Sequence, residues 1–177
     1  MLGATQRRTG QNGVVDISAR TDYAVRALLA LAAAERDRDP ATADDPYTAA
    51  VSVDVLVREQ ALPRKFLEAI VADLRRGGLV TSRRGPTGGY TLARPANQIF
   101  LGEVFRTVDG PLAEVRGLRP HETAYTGAAE HLPVVWVAVR ASLRRVLDET
   151  SLADVLDGRL PEHVQELAAA PDAWRNR

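Results

Sequence analysis

The sequence predicts a mainly α-helical fold that carries one small β-hairpin. Apolar residues recur at helical spacing in several separate segments of the 177 residues. Two short runs of strand-forming residues flank a glycine-rich turn. Hydrophobic residues make up 45% of the chain and charged residues 26%, which is typical of a globular protein. A chain of this length can bury a core without disulfides.

The N-terminal segment predicts an arm followed by one long helix. Residues 1–16 are polar and contain three glycines, so we expect a flexible arm. Apolar residues at helical spacing predict a helix over 17–34, with Ser18 or Thr21 as its N-cap. The acidic segment 35–50 contains two prolines, which favours an exposed loop.

Two shorter helices follow, separated by a tight break. Ser52 is expected to cap the first, over 53–59, and Pro63 suits the first turn of the second. The second helix ends at Gly77-Gly78, which tolerates left-handed backbone. Its predicted buried stripe comprises Phe66, Leu67, Ile70, Val71 and Leu74. Residues 79–82 and 90–93 then predict a hairpin.

The C-terminal half predicts one long helix with an unusual apolar surface. A short helix is expected over 101–108, and the segment 112–131 shows little periodicity. Pro133 opens a helix that runs to about residue 148, and its residues 134–139 are apolar on every side. Such a helix must be covered on both faces, so we expect a partner chain on one of them. Ser151 is expected to cap a short helix that ends near Gly158, and a final helix is expected over 162–170.

A helix pair with a tight break, followed by a basic hairpin, is the layout of a winged helix-turn-helix, whose second helix enters the DNA major groove. Arg64 and Lys65 can meet phosphates or guanine edges, and Glu68 can accept from a cytosine amine. An ordinary solvated helix face is the alternative interpretation. The free stripe of this helix comprises Lys65, Glu68, Ala69, Ala72 and Arg76.

The hairpin tip and the local charge favour DNA binding. Arg83 and Arg84 precede Gly85 in a tip that can enter a narrow minor groove. Incidental arginines in a solvent-exposed turn are the alternative. The whole chain has 23 basic and 23 acidic residues, but residues 51–95 have eight basic against four acidic. This separation of charge is what a DNA-facing module needs.

Several runs resemble the Rrf2 family of bacterial transcription regulators over about residues 17–156. The most specific match is Arg84-Gly85-Pro86-Thr87-Gly88-Gly89-Tyr90-Thr91-Leu92, which resembles the wing of that family. The other matching runs are 17–28, 67–68, 74–80, 94–95 and 104–112.

The resemblance implies a homodimeric winged-helix repressor or activator bound to double-stranded DNA. It implies that Glu68 reads a base, that Arg84 is the minor-groove arginine, and that the helix from Pro133 is the dimerisation helix. The expected DNA-binding residues are Arg64, Lys65, Glu68, Ala69, Arg76, Arg83, Arg84, Gly85 and Thr87. The expected dimerisation residues are Leu132, Val135, Trp136, Val139, Leu143 and Val146.

We therefore predict four parts. They are a flexible arm (1–16), a winged helix-turn-helix (17–111), a linker with the dimerisation helix (112–158) and a C-terminal tail (159–177). The predicted function is that of a sequence-specific transcription regulator, a repressor in our interpretation, acting as a homodimer on a pseudo-palindromic operator. A winged helix that binds an acidic protein instead of DNA is the alternative.

Cysteine is absent, and this departs from the best-known members of the family. Those members hold an iron–sulfur cluster with three cysteines in the segment equivalent to 112–132. This chain looks like a cysteine-free, actinobacterial-type branch, so we expect no cofactor. An unknown small-molecule effector stays open, because Tyr125 and Trp136 could line a pocket, although plain packing would also explain them. The loop 35–51 and the arm before Ile17 are also longer than is usual.

Other functional classes have weaker support. The histidines His121, His131 and His163 lack a helical ligand spacing, so we expect surface histidines and no metal site. No Gly-x-Ser-x-Gly elbow is present, and we predict no enzyme activity. No apolar run reaches the roughly 18 residues that span a bilayer. The N-terminus also lacks the apolar stretch of a secretory signal. We therefore expect a cytoplasmic protein without a membrane partner.

Overall fold

The computed structural model describes residues 17–38, 49–61, 63–85 and 88–175. Thr87, the predicted arm and most of the predicted loop 35–50 lie outside these residues. In chain order the helices are α1 Ala19–Arg36, α2 Val53–Gln60, α3 Arg64–Arg76, α4 Leu101–Val108, α5 Leu132–Leu147, α6 Leu152–Asp157 and α7 Glu162–Ala168. The strands are β1 Val80–Arg83 and β2 Gly89–Leu92.

Polar caps set where the first helices begin. The Ser18 hydroxyl accepts from the backbone N–H of Thr21 at 3.0 Å, so α1 begins at Ala19 and not at Ile17 as predicted. Ser52 caps α2 by accepting from Val55 at 3.3 Å, which confirms the predicted cap. The chain leaves α2 through Ala61, which has a left-handed backbone with φ of 52°.

One hydrophobic core joins α1 to the helix-turn-helix. Helix α1 packs against α2, α3, α4, α6 and β2. The side chains at the centre of this core, which are fully buried, include Leu28, Leu56, Leu67, Ile70, Leu74, Ile99, Val104 and Leu152. Burying each of them contributes roughly 1.5–3 kcal/mol relative to leaving it in water.

The predicted buried stripe of α3 is wrong at one position. Leu67, Ile70, Val71 and Leu74 are buried, but Phe66 is 40% exposed. Its ring and the Tyr23 ring form a T-shaped pair with a centroid distance of 5.7 Å. Asp73 takes a buried position on the same helix instead. The helix ends as predicted, because Gly78 adopts φ of 71° and Leu79 donates back to the Leu74 carbonyl at 2.9 Å.

The hairpin forms one residue later in β1 than predicted and one residue earlier in β2. It is antiparallel and pairs Val80 with Leu92 and Arg83 with Gly89. Val51, just before α2, also pairs with Tyr90, with both N–H···O bonds at 2.9–3.0 Å. This bridge connects the wing to the residue that precedes α2.

Helix α5 is packed much less tightly than the helices of this core. Between α4 and α5 the chain forms two short 3₁₀ turns, Pro120–Glu122 and Gly127–Ala129, where the sequence predicted an irregular segment. Helix α5 contacts α4 and the first of these turns, yet it contains no buried residue. Within the described ranges, no helix is long and apolar enough to cross a membrane.

Candidate nucleic-acid interface

Helix α3 and the wing form two prongs on one side of the molecule. The prongs and the start of α2 border a cleft of about 360 Å³. Four arginines line this cleft, together with a single acidic residue. These residues are Arg64, Arg75, Arg83, Arg84 and Asp54. The cleft is therefore positive overall, as a surface that faces phosphates requires.

The predicted reading face of α3 is open to solvent. Lys65, Glu68 and Ala69 are exposed, and Ala72 is half-buried. Lys65 makes no hydrogen bond or ion pair with any other described residue, so its ammonium group is available to a ligand. The short side chains of Ala69 and Ala72 leave room for close approach.

The first turn of α3 is organised by an ion cluster. Arg64 donates from Nε to Glu68 Oε1 at 2.8 Å and from Nη1 to Asp54 Oδ1. Hydrogen bonds to Glu68 and then to Asp54 raise the pKa of Arg64 above its ordinary value. Arg64, predicted as a free DNA contact, is thus already held by two carboxylates.

Arg76 is also engaged within the protein. Asp73 on the same helix accepts hydrogen bonds from Arg76 and from Arg20 of α1. The Asp73 carboxylate is nearly buried, so this pairing compensates a charge that would otherwise be costly. The pair with Arg20 fastens α3 to α1, and the Arg76 side chain still lies largely in solvent.

The wing presents its arginines on a backbone that depends on glycine. Gly85 has φ of +125°, a conformation that other residues rarely adopt, and a Cβ on Gly88 would overlap the Arg83 carbonyl. Arg84 is exposed and pairs with no other described residue. Arg75 of α3 reaches Ser82 of β1 at 3.4 Å, which links the two prongs. The predicted contact Thr87 lies outside the described residues.

Sequence reasoning did not single out Asp54 and Arg75 as part of this surface. The four-residue spacing of Arg64 and Glu68 predicts their ion pair on a helix. The position of Asp54 depends on the angle between α2 and α3. The sequence pattern does not predict the angle between these two helices.

A second, apolar surface lies on α5. Val134 is 70% exposed, Val135 50% and Val139 41%. Leu132 and Trp136, also predicted dimerisation residues, are half-buried. A cavity of about 570 Å³ opens beside the helix, between α4, α5 and α7. Predicted dimerisation residues that line it are Val139, Leu143 and Val146.

The residues considered for an effector lie away from this cavity. Tyr125 and Trp136 do not line it. The Arg116 guanidinium lies 5.3 Å from the centre of the Tyr125 ring. The indole N–H of Trp136 is buried and has no hydrogen-bond partner. This N–H is the one sign of an unmet polar group on α5 among the described residues.

The described residues do not fit a metal or an iron–sulfur cluster. The sequence has no cysteine, and no group of three or more His, Cys, Asp or Glu in the described ranges could hold a metal ion. His121 bonds to Arg140 at 3.1 Å. His163 is not the surface histidine we predicted, because its side chain is largely covered and contacts the Arg145 carbonyl at 2.9 Å.

Comparison with protein families identifies relatives over most of the chain. The Rrf2 family, described as an iron-dependent transcriptional regulator, matches residues 17–158. Rv1287 of Mycobacterium tuberculosis, named as a candidate HTH-type transcriptional regulator, is 45% identical over 152 residues, 86% of this chain and 88% of the relative. The HTH-type transcriptional regulator CymR of Bacillus subtilis is 33% identical over 104 residues, 59% of this chain and 70% of the relative.

Solved structures of such regulators share the fold. The structure of CymR, the global cysteine regulator of B. subtilis, superposes with a TM-score of 0.63 and 26% identity. The superposition covers 81% of this chain and 97% of the CymR chain. The structure of T. potens IscR gives a TM-score of 0.58 at 28% identity, covering 87% of this chain and 97% of that one. The predicted winged-helix fold is thus confirmed.

Proposed function

Because the chain belongs to the Rrf2 family of transcriptional regulators, which are DNA-binding proteins and not enzymes, we propose that it binds a specific operator as a homodimer and represses transcription from it. The observation that carries this proposal is the two-pronged basic surface, in which two arginines of α3 and two of the wing border one cleft. A major groove admits a helix of this kind, and its base edges distinguish all four base pairs.

The proposed dimer follows from the surface of α5. A helix with this much exposed apolar area normally lies against another protein surface. A second α5 supplies an apolar partner of matching chemistry, and two-fold symmetry would then place two α3 helices on one duplex. The operator is therefore proposed to be pseudo-palindromic.

Selection of bound sequences from a random DNA pool is the first test. We expect a pseudo-palindrome to be enriched, and a gel shift with that duplex should weaken steeply as salt rises. A transcription assay with the selected site beside a promoter would measure repression. Absence of any shift at low salt would contradict DNA binding and favour a winged helix that binds an acidic protein.

Glu68→Ala should change which base is preferred at one position of each half-site, by about 1–3 kcal/mol of discrimination. The carboxylate accepts from a base amine, and random DNA offers no fixed partner for it. Binding to the selected duplex and to its single-base variants measures this change. An equal loss on selected and random DNA would contradict a reading role.

Arg84→Ala should weaken binding and remove any preference for A·T base pairs in the flanks. Arg84 is proposed to enter the minor groove, where a narrow A·T tract has enhanced negative potential. Titration of duplexes that differ only in their flanks measures the effect. The matched control is Arg94→Ala, because Arg94 pairs with Glu103 at 2.7 Å on the helical side of the wing.

DNA binding is further proposed to need no iron–sulfur cluster, because the sequence has no cysteine to hold one. Protein purified without oxygen should lack visible iron–sulfur absorption and should bind the selected duplex with the same affinity after treatment with a chelator. Visible cluster bands, or loss of binding with the chelator, would contradict this. A cytoplasmic location is proposed on the same grounds as DNA binding.

A further inference from the structure

The ion cluster at the start of α3 contains one acidic residue, Asp54, that has no proposed role in base reading. Arg64 lies between Glu68 of its own helix and Asp54 of α2. Asp54 belongs to the first turn of α2 and lines the cleft between the two prongs. All three side chains are well exposed to solvent, so a bound duplex would meet them directly.

The cluster is negative on a surface that is otherwise positive. Two carboxylates flank one guanidinium, so the cluster of Asp54, Arg64 and Glu68 has a net charge of −1. A carboxylate that faces a phosphate backbone weakens binding to any sequence, because like charges repel. Asp54 therefore weakens the attraction between phosphates and the arginines that line the cleft.

Arg64 has a second function in the same cluster. Its Nε donates to Glu68 Oε1, so the position of the guanidinium also determines the position of the proposed reading carboxylate. Asp54 holds that guanidinium from the far side, through Nη1. If Asp54 released it, Arg64 could turn to a phosphate and Glu68 would lose its fixed partner.

We propose that Asp54 is a specificity-determining residue of the DNA interface. By holding Arg64 it withholds one phosphate contact and keeps Glu68 oriented toward the bases. Both effects lower the affinity for random DNA relative to the affinity for the operator. The inference rests on the proposed function, because it assigns a role within the same DNA-binding surface.

Asp54→Asn tests this in the full-length protein, with fluorescence-labelled duplexes of the selected site and of random sequence. Affinity for random DNA should rise roughly two- to fivefold, which is the range of an exposed ion pair. Affinity for the selected site should rise less, so the specificity ratio falls. The slope of log affinity against log salt on random DNA should steepen by about 0.9, as one added phosphate contact requires.

The matched control is Glu59→Gln. Glu59 is exposed on the same helix, and its substitution changes the net charge by the same amount outside the cluster. It should leave the salt slope and the specificity ratio unchanged. The double variant Asp54→Asn/Arg64→Ala should lose the gain on random DNA, because the gain comes from the released guanidinium.

The outcomes separate the two proposals. If the wild-type protein binds no duplex at low salt, the proposed function fails. If the wild type binds its selected site but Asp54→Asn behaves like Glu59→Gln, the proposed function stands and the role of Asp54 is overturned. A gain that persists in the double variant would also overturn it.

Discussion

The winged helix-turn-helix and helix α5 use apolar residues in opposite ways. In the winged part, apolar side chains from α1, α2, α3, α4 and α6 meet in one core, and its central leucines have no contact with solvent. In α5 three valines are 41–70% exposed, and no residue of the helix is buried. The first region is complete within one chain, whereas the second presents a surface that a partner would complete.

The largest expected effect comes from breaking the α5 surface. Val139→Asp should convert the proposed dimer to a 19.2 kDa monomer, because an unpaired carboxylate is costly to bury against an apolar partner. Operator affinity should fall by about 100-fold or more, since the two half-sites would no longer be bound together. Light scattering after size exclusion measures the mass.

Leu118→Asp is the control for that prediction. Leu118 is 45% exposed, close to the 41% of Val139, but lies outside α5. It should leave both mass and affinity near the wild-type values. A Val139→Asp protein that stays dimeric would show that α5 does not form the interface.

A pair of leucine substitutions, one in each region, separates the two kinds of packing. Leu74→Ala empties a fully buried position and should lower the free energy of unfolding by about 2–5 kcal/mol. This loss should leave the association of the two subunits unchanged. Leu143→Ala, beside the α5 cavity, should instead weaken the proposed dimer, so that it dissociates at a higher protein concentration than the wild type does. Light scattering over a hundredfold range of concentration distinguishes them, and equal dissociation of the two variants would refute the contrast.

The smallest expected effect lies within the tightly packed region. Ala61 adopts φ of 52° at the turn between α2 and α3, where glycine would carry no steric cost. Ala61→Gly should stabilise the protein by about 1 kcal/mol or less, because the extra freedom of glycine in the unfolded chain offsets part of the gain. Urea unfolding measures the change. A clear loss of stability would show that the alanine methyl is needed for packing.

Much of the fold followed from local signals. Ser18 and Ser52 cap their helices, Gly78 ends α3, and Ser151 caps α6 by accepting from Asp154 at 3.1 Å. Each of these depends on neighbours within a few residues, which is why periodicity and capping residues predict them. Phe66 was misplaced because it lies at the margin of the apolar stripe, where the ring of Tyr23 decides its environment.

The DNA-binding surface was predicted less completely. Exposed Lys65 and Arg84 agree with the sequence pattern, since both occupy positions that the pattern leaves outside the core. The engagement of Arg64 with Asp54 and of Arg76 with Asp73 was not predicted. The first of these pairs joins two helices, so it depends on how the helices are packed against each other.

The amino-acid sequence alone determined the order of the elements, the caps that bound them and the concentration of positive charge between residues 51 and 95. These are properties of adjacent residues, and they survive any arrangement of the helices in space. Only the tertiary structure decided which arginines are held by carboxylates and which are exposed without partners. It also decided how much of α5 the rest of the chain covers, because charge pairing and burial depend on distances between segments that are remote in sequence.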